Sequence, residues 1–124
     1  MNLAMIPYNP QKSVMELEDD LIKAAHDMES IGLEWADAQA LMDQMDDLRR
    51  VVLADNMAPE GTASERERVG LVSESYKNHL QALHDARRDA ISKKVRYGAA
   101  QALFDAIRTI LTSKRALIQR GIDS

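Results

Sequence analysis

From Val14 to Val52 the apolar residues fall into two columns at heptad spacing. One column reads Val14, Leu21, Met28, Trp35 and Met42, and is interrupted by Arg49; the other reads Leu17, Ala24, Ile31, Ala38, Met45 and Val52. An apolar repeat of seven sustained over this length predicts one long amphipathic helix packed along a single seam. Ser13 and Glu16 have capping-box spacing, which starts that helix. Pro59 pushes the residue before it out of helical geometry and ends the helix near Asn56–Ala58. Unbroken, such a helix is about 65 Å long at roughly 1.5 Å per residue.

Gly32 is the weak point, since glycine costs about 1 kcal/mol relative to alanine in a helix interior. A helix stop there would fold Leu33 back on Met28. The heptad phase survives across Gly32, however, and a loop would reset it. A continuous helix is the expectation.

The second half offers two caps, Thr62 with Glu65 and Ser64 with Glu67. Its main apolar column is Val69, Tyr76, Leu83, Ala90, Tyr97, Phe104, Leu111 and Ile118, each seven residues apart. The flanking column of Val72, His79, Ala86, Lys93, Ala100, Ile107 and Lys114 is poorer, and Leu103, Ile110 and Leu117 widen the stripe toward the end. Gly121 after Arg120 is suited to close the helix as a C-cap glycine. The expected organisation is a single helical domain over 1–124: an extended segment 1–12, an acidic helix 13–58, a loop 59–64 and a basic helix 65–120. Gly70 and Gly98 are positions for kinks. The fold class is all-α, a long antiparallel helical hairpin.

Ile22, Leu33, Ala36, Ala40, Leu41, Leu48 and Val51 lie beside the main seam of the first helix. A stripe that wide needs more than one partner. Self-association into an oligomeric helical bundle is expected, with a kinked monomer covering its own second face as the alternative.

Composition agrees with the helical reading. The chain has 124 residues, 45 % hydrophobic but only 4 % aromatic, so it lacks the aromatic residues that strands draw on. Prolines at 7, 10 and 59 all lie outside the periodic stretches, as helices require. With no cysteine, disulfides, thiolate catalysis and Cys-ligated metal sites are excluded. No apolar run reaches the roughly 18–20 residues of a membrane span. Residues 1–10 lack the basic start and apolar core of a signal peptide. A cytoplasmic location is therefore expected, away from membranes.

Charge divides sharply between the halves. Residues 1–62 carry thirteen acidic and four basic side chains, whereas residues 63–124 carry seven and twelve. The basic residues Arg87, Arg88, Lys93, Lys94, Arg96, Arg108, Lys114 and Arg115 are the main functional candidates. Arg87, Lys94, Arg108 and Arg115 lie at multiples of seven and so share a helix face, a stripe of about 40 Å at 1.5 Å per residue that matches a phosphate backbone. Against this stands neutralisation across the hairpin by Asp43, Asp46 and Asp47, as flanking charges do in coiled coils.

Glu16, Glu18, Asp19, Asp20, Asp27 and Glu34 form an acidic face that either meets a basic protein or is simply solvated. Methionines 15, 28, 42, 45 and 57 suit an adaptable binding surface, although Met28, Met42 and Met45 hold core positions. Tyr97 has the means to stack a base but also lies in the apolar column.

Enzyme motifs are missing. His26, His79 and His84 do not have the spacing of a helical metal site, and there is no phosphate loop, nucleophile elbow or HExxH motif. No catalytic residue, metal or cofactor is expected.

Two sets of residues carry a family resemblance. One is Gly61-Thr62-Ala63-Ser64-Glu65-Arg66-Glu67, Ser73-Glu74-Ser75-Tyr76, Leu80, Ala86, Ala106-Ile107-Arg108-Thr109 and Ser113-Lys114-Arg115-Ala116. The other is Trp35-Ala36-Asp37-Ala38 with Leu48-Arg49-Arg50-Val51-Val52-Leu53-Ala54. Together these resemble small helical-hairpin proteins of tailed phages and prophages, often encoded near recombination or replication genes. The group tends to have an aromatic where this chain has Ala106 or Ile107. The resemblance implies phage origin and a DNA-metabolism neighbourhood, and no mechanism. Taken with the missing enzyme motifs and the basic stripe, the expected role is a non-enzymatic phage accessory protein in the host cytoplasm that self-associates and binds DNA or a recombination or replication protein. The alternative role is a protein-only inhibitor or scaffold, for example an anti-defence protein or DNA mimic, acting through the acidic, Met-rich first helix.

Overall fold

A computed structural model describes residues 12–121 of the chain. The expected extended segment thus lies outside the described residues except for Lys12. Three helices follow in order, α1 (Val14–Asp55), α2 (Ala63–Leu71) and α3 (Glu74–Gln119), and no strand occurs among the described residues. The two long helices pack against each other as the arms of an all-α helical hairpin.

Each helix end has a chemical cause. The Ser13 side chain accepts from the Glu16 amide at 3.2 Å, and the Glu16 carboxylate takes the Ser13 backbone N–H at 3.4 Å. This is the reciprocal capping box. Thr62 caps α2 by accepting from the Glu65 amide at 3.2 Å. Beyond α3 the Gly121 N–H donates to the Ile118 carbonyl with Gly121 at φ 71°, the left-handed backbone that glycine adopts without steric cost.

The expected single helix over 65–120 is corrected, because it breaks at Val72–Ser73 into α2 and α3. Ser73 supplies the break. Its hydroxyl donates to the Gly70 carbonyl at 2.8 Å, ending one helix, and accepts from the Tyr76 amide at 3.2 Å, starting the next. The turn before α2 is clamped as well, since the Arg66 Nε–H donates to the Ala58 carbonyl at 2.7 Å.

The contacts divide the chain into two compact units, Met1–Leu33 with Val95–Ser124, and Glu34–Lys94. In the first unit, Leu17 and Ala24 of α1 and Ile107 and Leu111 of α3 are buried. Gly32 lies inside the continuous α1, where a Cβ would meet the Tyr97 ring at 3.0 Å. The glycine therefore makes room for a tyrosine.

In the second unit Ala38 of α1 and Tyr76, Leu83, Ala86 and Ala90 of α3 are buried. The half-buried His79 bonds through Nε2 to the Met45 carbonyl across the hairpin at 2.7 Å. Gly70 is buried at the end of α2, where a Cβ would lie 2.8 Å from Leu53 Cδ1 and 3.0 Å from the Leu53 carbonyl oxygen. No polar or charged residue is buried among the described residues.

The glycines give opposite expectations. Gly98 lies within α3 with open space where its Cβ would be, so Gly98→Ala should stabilise the protein by about 0.5–1 kcal/mol. Gly70→Ala should destabilise it by about 1–3 kcal/mol, because the new methyl collides with backbone as well as side chain. Urea titrations followed by helical ellipticity measure both, and a stabilised Gly70→Ala would show that α2 is free to shift.

Candidate interaction faces

The basic residues do not stand apart from the acidic helix. In the second unit Arg87 is ion-paired with Asp46 of α1 at 3.3 Å, and in the first unit Arg115 is paired with Glu18 at 2.7 Å. Both pairs are about half exposed. They lie where a heptad places the charges flanking an apolar seam. Two of the four residues at multiples of seven are therefore engaged across the hairpin.

The other candidates divide between paired and unpaired. Lys93 is bound to Asp89 one turn before it, at 3.1 Å. Arg108 is bound to Asp105 at 3.2 Å, and its guanidinium lies 5.7 Å from the centre of the Phe104 ring. Neither Arg96 nor Lys114 is free. Arg88 and Lys94 are exposed, and neither belongs to an ion pair among the described residues.

The expected acidic face is similarly mixed. Glu16 serves the helix cap and Glu18 holds Arg115. Asp20 binds Lys12 at 2.7 Å. Glu34 is engaged, while Asp19 and Asp27 are exposed. Asp20 and Asp27 also line a groove of about 280 Å³ with Lys12, Lys23, Ala24, Leu103 and Ile107. Its rim mixes both charge signs, so it selects for neither.

The remaining candidates are structural. Tyr97 is half-buried against Gly32, a packing position. His26 and His84 are exposed, and no cluster of metal-ligating side chains occurs among the described residues. Met28, Met42, Met45 and Met57 are half-buried, leaving Met15 as the exposed one of the five. No described helix is long and apolar enough to cross a membrane.

Exposed large apolar side chains occur along all three helices. Met15, Ile22 and Leu33 in the first unit, and Leu41, Leu48 and Val51 in the second, are 44–73 % exposed. Such side chains lie beside the seam with α3 and are left partly uncovered. On α3 the residues Ile91 and Val95 are 62 % and 66 % exposed, and Val69, Leu71 and Val72 are exposed around the α2–α3 break. Sequence reasoning passed over Ile91 and Val95. Their signal was that they fit neither apolar column although they are large and β-branched.

No protein-family model matches the chain, and no curated protein or solved structure matches it significantly.

The Glu18–Arg115 pair gives a direct measure of the charge zipper. A double-mutant cycle with Glu18→Gln and Arg115→Gln should return a coupling of about 0.2–1 kcal/mol at low salt, since both partners are half-exposed. The coupling should shrink in about 1 M salt, where the screening length is about 3 Å. A coupling that stays unchanged in high salt would mean that the pair is not electrostatic.

Proposed function

We propose that this chain is a non-enzymatic interaction module: a helical hairpin that self-associates and works by surface complementarity with macromolecules. The observation that carries this reading is the outward apolar row of α1. Leu41, Leu48 and Val51 remain 44–52 % exposed on a helix whose seam residue Ala38 is already buried. Exposed apolar side chains in a row gain free energy only when a second surface covers them. The resemblance to phage hairpin proteins noted in the sequence is in keeping with an accessory role beside recombination or replication machinery.

A second reading has its own observation. Arg88 and Lys94 are exposed cations without an ion pair among the described residues, and they favour contact with a polyanion such as DNA. The cross-hairpin pairing of Arg87 and Arg115 makes this the weaker reading, because those charges are already partly neutralised.

Solution mass decides the first reading. The wild-type chain should run as an assembly in light-scattering chromatography, and Leu41→Asp with Leu48→Asp should lose that mass while keeping its helicity. A monomeric wild type would overturn self-association. For the second reading, a DNA duplex should bind with log affinity falling against log salt by about 0.9 per phosphate contacted. Binding insensitive to salt, or no binding, would remove it.

A further inference from the structure

We infer that the second unit carries both halves of a self-complementary contact, in which the outer face of α1 in one copy docks on the outer face of α3 in another. This rests on the self-association proposed above and names the surfaces that make it.

The α1 half is apolar and acidic. Leu41, Leu48 and Val51 are about half exposed. Asp37 lies one turn before Leu41 and Asp47 one turn before Val51, and both are exposed with no ion pair among the described residues. On a helix, residues four apart are surface neighbours. The α3 half is apolar and basic. Ile91, 62 % exposed, is flanked three residues away on either side by Arg88 and Lys94. These two cations are likewise without an ion pair, whereas Arg87 and Lys93 beside them are paired with Asp46 and Asp89.

Around these apolar centres the named unpaired charges differ in sign between the helices, with Arg49 and Arg50 of α1 exposed beside Asp46 and Asp47 in a shared pocket. At 1.5 Å per residue the two aspartates stand about 15 Å apart and the two cations about 9 Å, a difference that long arginine and lysine side chains can span. A further copy of the chain supplies the complement of each face. Nucleic acid would use only the cations, leaving the α1 face wet and repelling it through Asp37 and Asp47. Opposite charges around apolar centres also fix which surfaces pair, because like-charge juxtaposition is unfavourable.

Charge reversal tests the contact, with mass measured by light scattering and folding by circular dichroism. The variants D37K/D47K and R88E/K94E should each lose the assembled mass while retaining helicity, since all four positions are exposed. An equal mixture of the two should regain it, because each reversed face then meets its complement. The four-site variant D37K/D47K/R88E/K94E should assemble alone, which guards against misfolding of either pair. If the wild type assembles and both paired variants keep its mass, this contact is wrong while self-association stands. If the mass is lost but neither the mixture nor the four-site chain regains it, the two faces do not pair with each other. A monomeric wild type overturns this contact together with the self-association beneath it.

Discussion

The close seam between α1 and α3 is the constraint on which the rest of the structure depends. Alanines 24, 38, 86 and 90 are buried there beside Leu17, Leu83, Ile107 and Leu111. Helices can approach within about 8–10 Å, with side-chain size at the contact setting the distance. Small residues bring the arms close enough for Gly32 to admit the Tyr97 ring and for His79 to reach the Met45 carbonyl. The same closeness places Asp46 within reach of Arg87 and Glu18 within reach of Arg115. An alanine-rich seam stabilises less by burial than one of leucines, since each buried methylene contributes about 0.8 kcal/mol. Free energy left in the outward apolar rows is then available to association.

Much of this was legible because a heptad is a statement about faces. The α1 columns mark the packed side, the Ser13–Glu16 cap forms, and of the two caps offered for the second half Thr62 with Glu65 is the one that does. The continuity of α1 through Gly32 was legible in the unbroken phase, although the reason for the glycine was not, because Tyr97 lies 65 residues away in the chain. The break at Val72–Ser73 was hidden by coincidence: Val69 and Tyr76 are seven apart, so the column reads straight across the interruption in helical hydrogen bonding. Ser73 was the available signal, since a hydroxyl able to accept the amide three residues on marks a helix start.

The flanking column of α3 shows a different limit. Lys93 and Lys114 make it look poor, yet Ala86 and Ile107 within it are buried, as Leu83 and Leu111 of the main column are. Lysine can occupy such a position by laying its aliphatic stem on apolar surface while its ammonium stays in water. Both lysines are accordingly half-buried, and the Lys93 ammonium is held by Asp89. Residue type alone scores these positions as polar. The geometry of the stem makes them part of the packed side.

Segregating acid and base on opposite arms has two consequences from one cause. Where the arms face each other, opposite charges flank the seam and set its register, as Glu18–Arg115 and Asp46–Arg87 do. Where they face outward, unpaired charges remain on both arms: Asp37 and Asp47 on α1, where Arg49 and Arg50 lie beside Asp47, and Arg88 and Lys94 on α3. Half-exposed pairs of this kind contribute only about 0–1 kcal/mol each to stability. Fold stability alone is therefore a poor reason for such sorting. Specificity is a better one, because surfaces of single sign reject their own kind and accept the other. In the contact proposed above, the rule that selects how the arms fold together also selects which face of a neighbour they meet.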